Sequence, residues 1–319
     1  MKKSKILVVG SLVMDLIVTA ERFPNAGETV LGKGFNTAPG GKGANQAVQA
    51  ARLGADVTMF GKVGNDDFGK RLIDSLSESG VNTDNILVSE TASTAVGNVQ
   101  IQDNSQGTEN RIIVVPGANM EIRPEDVEIL RNTISDYDMV ILQNEIPMTI
   151  NTLVAGFAKA SGVPVMLNPA PTAEIPDELI SCLTYISPNE HETADLVGFE
   201  PTDDSSRNAA IGKLREMGVK NVLITLGKNG CLFCGDEAMV YSESVDCGKV
   251  IDPTAAGDSF IGAFCTAITS GMPINDVLKF ANCTAGITVS KMGAQTSLPY
   301  LDEVMGFMEK KGIKNESFR

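Results

Sequence analysis

The chain has 319 residues, 43% of them hydrophobic; aromatics are only 5% and Trp is absent, so the large core it can bury must be aliphatic. A net charge of −14, with no clustered Lys and Arg, excludes a face that neutralises nucleic-acid phosphates. It leaves ATP open as a ligand, because backbone N–H groups and one or two local lysines can hold phosphate.

Residues 5–10 (KILVVG) read as a buried strand. Lys2, Lys3 and Lys5 ahead of this run, with Val18-Thr19-Ala20 beyond it, have the outline of a leader and cleavage site. Gly10-Ser11 and Asp15 interrupt the run, and a first β-strand accounts for it better. No stretch reaches the ~20 apolar residues of a membrane span, and a soluble, cytoplasmic protein is expected. Residues 16–38, with Pro24, Gly27, Gly32 and Gly34, read as small hairpin strands. Lys42 to Leu53 follows a glycine pair and stops before Gly54, as a helix does. Residues 56–63 return to strand, and Phe68 to Ser77 read as an amphipathic helix closed near Gly80. Residues 94–102 and 109–115 flank a polar turn, Asp103 to Thr108, which is a second hairpin signal. Beyond it strands fall at 138–143, 163–168, 184–187 and 220–226, separated by helical patterns. This alternation implies a mainly parallel α/β sheet covered on both faces, to which the hairpins add a small lid.

Cys182, Cys231, Cys234, Cys247, Cys265 and Cys283 include one CxxC, at Cys231 and Cys234. It lies in a strand-like run that sends the two thiols to opposite faces, and no second CxxC or His cluster completes a zinc site. Reduced, mostly buried thiols are expected.

The sharpest chemical signal is Asp252 to Phe260 (DPTAAGDSF), between an extended run at 246–251 and a helix-like run at 259–270. Ala255, Ala256 and Gly257 have minimal side chains, so an anion can approach their N–H groups, and a helix starting there adds its dipole. Charge developing on a transferring phosphoryl group would be stabilised there, and Asp258 at the edge could accept the proton of an attacking hydroxyl. The same residues would also make an ordinary helix N-cap, with Asp258 or Ser259 capping. The second signal is Pro39 to Ala47 (PGGKGANQA). It is neither a Walker A loop, since Asn36 stands where the first Gly belongs, nor GxGxxG. Lys42 can be a point charge for phosphate or a donor to a hydroxyl, and Asn45 can make two hydrogen bonds to a diol; a tight turn with a solvated Lys42 is the plainer alternative. Asp15, Glu145, Asn168, Asn189 and Thr225 end expected strands, where open parallel sheets gather ligands. His191, the single histidine, reads as an exposed helix residue.

GGKGANQA at 40–47, LNPAP at 167–171, SPNEHE at 187–192, LITLG at 223–227, DPTAAGDSF at 252–260 and GAQTS at 293–297 resemble the ribokinase family of PfkB-type carbohydrate kinases along nearly the whole chain. The resemblance implies one doubly wound α/β domain over residues 1–319, with a small β-lid at about 12–40 and 94–115 that clasps a partner's lid in a homodimer. It implies ATP-dependent phosphorylation of a pentose, ribose first, at the 5-hydroxyl. Asp258 matches the catalytic base and Ala255, Ala256 and Gly257 the anion hole. Asp15, Gly41, Lys42, Asn45 and Glu145 match sugar contacts. Asn189, Thr225, Gly227, Lys228, Gly230 and Asn282 match the nucleotide site, and Glu192 helps hold Mg²⁺ through water. Asp252, Thr254, Thr288, Lys291, Gly293 and Ser297 match a monovalent-cation site, with K⁺ the expected ion. Val13 departs from the pattern: the family has Asn there, which brings 2-deoxyribose forward as an alternative sugar. A silent sugar or nucleotide sensor has no need of Asp258, and a nicotinamide dehydrogenase would need the missing GxGxxG.

Overall fold

Ile6 to Val9 are consecutive apolar residues with no exposed surface. A strand without a polar face belongs in the middle of a sheet covered on both sides. A computed structural model, describing residues 3–104, 107–236 and 239–313, places it there. In chain order the strands are β1 (Lys5–Val9), β2 (Val13–Ala20), β3 (Gly32–Gly40), β4 (Asp56–Gly64), β5 (Asn82–Ser89), β6 (Ala95–Asn104), β7 (Gly107–Val115), β8 (Met139–Gln143), β9 (Val165–Asn168), β10 (Tyr185–Ile186), β11 (Asn221–Thr225), β12 (Cys231–Cys234) and β13 (Met239–Ser242). Among the described residues the main sheet has nine strands in the order β13-β12-β11-β10-β9-β8-β1-β4-β5. It is parallel from β5 to β11, and the hairpin β12–β13 closes one edge antiparallel.

Alternate residues of β1 feed two cores. Ile6 and Val8 pack with helices Lys42–Arg52, Asp67–Glu78, Ala256–Thr269, Ile274–Val289 and Leu301–Lys310. Leu7 and Val9 pack with helices Met148–Ala160 and Asp204–Glu216 on the other face. The expected doubly wound architecture is therefore present. A separate four-stranded sheet, order β3-β2-β6-β7, carries the two hairpin stretches, with β2 parallel to β6 and the outer pairs antiparallel. Residues 105–106, the tip of the turn expected at Asp103 to Thr108, lie outside the described residues. Phe35, Ile112, Ile113, Val114 and Val115 of this small sheet are exposed.

The helix expected at Lys42 to Leu53 ends at Arg52, and Gly54 supplies the left-handed residue after it at φ 96°. The helix expected from Phe68 begins at Asp67, capped by the Asp66 carboxylate accepting from Gly69 N at 2.9 Å. The extended run expected at 246–251 is irregular instead. Asp246 accepts from Gly248 N at 2.9 Å and Gly248 takes φ 99°, so a side-chain-closed turn breaks the run and leaves Val250 and Ile251 exposed. CLFC is β12, with Cys231 buried and Cys234 half-buried. All six cysteines are free, and burial pushes the Cys231 thiol up to about 12. Among the described residues no three His, Cys, Asp or Glu cluster as metal ligands, and no helix is long and apolar enough to cross a membrane.

Candidate active site

Strand order reverses between β1 and β8, and an open parallel sheet binds its ligands at the carboxyl ends beside such a switch. The chain leaving β1 there meets the start of helix Lys42–Arg52 with no side chain between them: a β-carbon at Gly43 would lie 2.6 Å from Ser11 N. Gly41, at φ 92°, makes the turn that delivers the helix. Glu145, just past β8, accepts a hydrogen bond from Ser11 Oγ and another from Lys42 N at 3.0 Å, fixing three expected sugar-side residues (Gly41, Lys42, Glu145) in one corner.

Helix Ala256–Thr269 crosses helix Lys42–Arg52 at Gly262, where a β-carbon would fall 2.9 Å from Gln46 O and 3.1 Å from Ala50 N. That approach sets Asp258 against the facing helix. Asn45 Nδ2 donates to Asp258 Oδ2 and Gln46 Nε2 to Oδ1, both at 2.9 Å. Asp258 is buried, and burial raises its pKa against the opposing pull of Lys42, Asn45 and Gln46, with Glu145 adding to the rise. Burial works against the Lys42 charge too, but Asp258, Glu145 and Glu192 more than offset it and lift the lysine above its ordinary value. A carboxylate pushed upward, beside a cation, has the acid–base character of a general base.

Ala255 is the N-cap of helix Ala256–Thr269 at φ 61°, the one non-glycine with positive φ among the described residues. Such a conformation costs about 1 kcal/mol or more in an L-residue. It turns the chain so that the first N–H groups face a cavity of about 210 Å³. Ala256 N donates to Pro253 O at 3.2 Å, while the N–H groups of Gly257 and Asp258 precede the first intrahelical bonds. Lys42, Asn168, Ser187, Asn189, Glu192 and Thr225 line the same cavity. Asn189 and Glu192 form a reciprocal capping box, each side chain accepting from the other's backbone N–H at 2.8 Å. Burial raises the Glu192 pKa. Two carboxylates, Glu192 and Asp258, line this cavity, and so small a set fits Mg²⁺ held largely through water better than a caged metal.

Thr225 ends β11 on the cavity wall, followed by a 3₁₀ turn, Gly227–Asn229, with Gly227 and Lys228 exposed. Gly230, at φ 95°, passes so close to β13 that a β-carbon would sit 2.1 Å from Ser242 O. Asn282 is buried and does not line the cavity; its Nδ2 braces Ser242 O at 3.2 Å and Glu243 O at 3.0 Å. Asp252 joins the two segments expected to hold a cation, accepting from Thr254 N and Gly293 N, each at 2.9 Å. Burial works to raise the Asp252 pKa, but the bonds from Thr254 and Gly293 hold it below the usual value. The Lys291 ammonium pairs with Glu303 at 2.7 Å, the Thr288 hydroxyl with Ser259 at 2.7 Å, and Ser297 Oγ donates to Ala294 O at 2.7 Å. A cation would therefore find backbone carbonyls there rather than those side chains.

Asp15 projects from β2 between Gly40 and Gly97, where β-carbons would lie 2.7 and 2.4 Å from its carboxylate oxygens. Burial, then Glu145, pushes its pKa up to about 6. Val13, two residues earlier, is buried. Sequence reading missed Ser11, Gln46 and Asn119 as site residues. Asn119 grips the chain just before Val13, accepting from Leu12 N at 3.1 Å and donating to Leu12 O at 3.0 Å. Gln46 carried a signal, a second amide beside Asn45 on a helix otherwise rich in alanine; Asn119 carried none.

This fold, a doubly wound sheet with a side sheet, has close parallels among solved structures. A ribokinase of Arabidopsis thaliana complexed with ribose and ATP superposes with a TM-score of 0.89 at 34% identity, covering 96% of this chain and 99% of that one. A Thermotoga maritima ribokinase gives 0.84 at 34% identity, covering 95% and 99%. In sequence, a ribokinase of Schizosaccharomyces pombe is 40% identical over 96% of this chain and 98% of its own length. One of Lactococcus lactis is 38% identical over 97% and 99%. The pfkB family carbohydrate kinase model matches residues 3–301, and the chain belongs to that family.

Proposed function

We propose that the protein transfers the γ-phosphoryl group of ATP to the 5-hydroxyl of ribose. The observation that carries this reading is Asp258: a buried, upward-shifted carboxylate beside Lys42, at the mouth of a helix N-terminus facing a phosphate-sized cavity. The ribose- and ATP-bound relative supports the choice of substrates. Asp258 takes the hydroxyl proton as the sugar oxygen bonds to the γ-phosphorus, the bond to the β-phosphate oxygen breaks, and ADP leaves. The N–H groups of Gly257 and Asp258 at the helix start and the Lys42 ammonium meet the charge that develops. Asp15, Glu145 and Asn45 hold the sugar; Asn45 Oδ1 is buried without a partner among the described residues, an acceptor suited to a hydroxyl. Thr225, Gly227, Lys228 and Gly230 flank the nucleotide, with Asn282 bracing that wall. Glu192 would hold Mg²⁺, which when bound neutralises phosphate charge, and carbonyls around Asp252 and Gly293 would hold K⁺. The exposed apolar side chains of the small sheet support its pairing with a second copy as a lid-to-lid dimer, and six free thiols suit the cytoplasm.

Val13 favours a second reading, a 2-deoxyribokinase. Its apolar, buried side chain offers no hydrogen bond to a sugar hydroxyl.

Asp258→Asn tests the central claim. It should keep ATP binding and lose ~10²–10⁴-fold in kcat; retention of more than about a tenth of wild-type kcat would exclude Asp258 as the base.

A further inference from the structure

The two oxygens of Asp258 are held differently. Oδ2 is met by Asn45, whose own Oδ1 has no partner among the described residues, so that amide keeps an acceptor for substrate. Oδ1 is met by Gln46, whose two amide donors are both engaged. Gln46 Nε2 donates to Asp258 Oδ1 at 2.9 Å and to Asn168 Oδ1 at 3.1 Å, and its Oε1 accepts from Gln143 Nε2 at 2.8 Å. Asn168 in turn donates to Ser187 O at 3.0 Å, at the turn that leads to Asn189 and Glu192. Gln46 and Gln143 have no exposed surface. The orientation is forced: a carboxylate only accepts, so Gln46 must show it the NH₂ group. Gln46 cannot turn away without orphaning buried acceptors on two other strands or helices, whereas Asn45 can exchange its partner for a sugar hydroxyl.

We infer that Gln46 is a positioning residue for phosphoryl transfer: it ties Asp258 Oδ1 into a buried amide chain, so that Oδ2 is the oxygen that takes the proton. This rests on the reading of Asp258 as the base. Three consequences follow from the bonds. The carboxylate plane is fixed relative to the helix N-terminus that receives the phosphoryl group. The sugar side and the phosphate side of the site share one chain, Asp258–Gln46–Asn168–Ser187. And Gln46 favours the ionised form of Asp258, alongside Lys42 and Asn45 on the same helix and against Glu145 and Glu192 from the facing elements.

Gln46→Met keeps the volume and removes both donors. Its kcat should fall ~10- to 100-fold, the factor that one hydrogen bond to a charged group is worth. KM for sugar and for ATP should stay within ~3-fold, because the substrates do not touch Gln46. The acidic limb of the kcat–pH profile should move up by roughly 0.5–1 pH unit as the carboxylate loses a donor. Gln143→Met, which frees the Gln46 amide to flip, should move kcat and the limb in the same direction by less, and it carries the test if Gln46→Met does not fold. An unmoved limb in the folded variants, whether kcat holds or KM takes the loss, overturns the inference. Asp258→Asn in the same assays separates the two claims: if it abolishes turnover while Gln46→Met and Gln143→Met behave as wild type, only the role of Gln46 falls; if it stays active, the base assignment itself falls.

Discussion

The site has a floor and a roof built on opposite principles. The floor is the crossing of helices Lys42–Arg52 and Ala256–Thr269, where Gly262 admits direct backbone contact and Asp258 has an amide donor on each oxygen. The roof is the small sheet, where Asp15 sits between two glycines with no donor on its carboxylate among the described residues, and where apolar side chains face outward. Both aspartates are pushed upward by burial, but only Asp258 has neighbours that counter it. The floor is thus arranged before any ligand arrives, whereas the roof holds a half-buried carboxylate that a sugar bound as proposed could serve with hydrogen-bond donors. An unsatisfied carboxylate costs stability that binding can return.

The comparison can be broken at Asp15 with the largest effect. Asp15→Asn should weaken sugar binding, raising KM ~10- to 100-fold, while stabilising the free protein at pH 7.5 by on the order of 1–3 kcal/mol in denaturant melts. The sign follows from linkage. A folded-state pKa near 6 against 3.8 unfolded means the stabilising contribution of the protonated form is full below pH 3.8 and lost as pH rises through 6. The gap between variant and wild type should therefore close as pH falls from 6 to 4, and sugar KM of wild type should rise over the same range. A destabilised Asp15→Asn would mean that donors already hold the carboxylate.

Val13→Asn sharpens the roof's part in specificity: it should shift the ribose to 2-deoxyribose ratio of kcat/KM by ~10-fold, one hydrogen bond's worth. An unchanged ratio would remove Val13 from the choice. On the floor, Asp252 ties Thr254 N to Gly293 N beside the start of helix Ala256–Thr269; with K⁺ bound there as proposed, replacing Na⁺ or a bulky organic cation by K⁺ should raise kcat several-fold, on the order of 1 kcal/mol of transition-state stabilisation. Equal rates in the three salts would count against a cation site. A last pair of variants, read by stability rather than activity, compares backbones directly. Gly262→Ala should cost ~1–3 kcal/mol by overpacking the helix crossing. Gly34→Ala, on β3 with nothing within 4 Å of the added carbon, should stay within ~0.5 kcal/mol. Equal melting temperatures for the two would deny the floor its close contact.

The sequence by itself determined the layers and most of the polar residues that line the cavity. An uninterrupted apolar β1, hairpin punctuation at 16–38 and 94–115, a glycine pair before Lys42 and a run of small residues before Asp258 are local patterns, written within a few residues of the structure they make. Local reading failed at 246–251, expected as an extended run, where the Asp246–Gly248 turn won. What only the tertiary structure decided are the pairings across long separations. Gln46 meets Asp258 over 212 positions, Asn119 meets Leu12 over 107, and Asp252 meets Gly293 over 41. Asn282, expected at the nucleotide, reaches Ser242 O and Glu243 O over 40 and 39 positions for the same reason. A hydrogen bond between distant residues leaves no period or spacing in the chain; it exists only once burial has brought two helices or loops within 3 Å and denied their polar groups any water to bond instead.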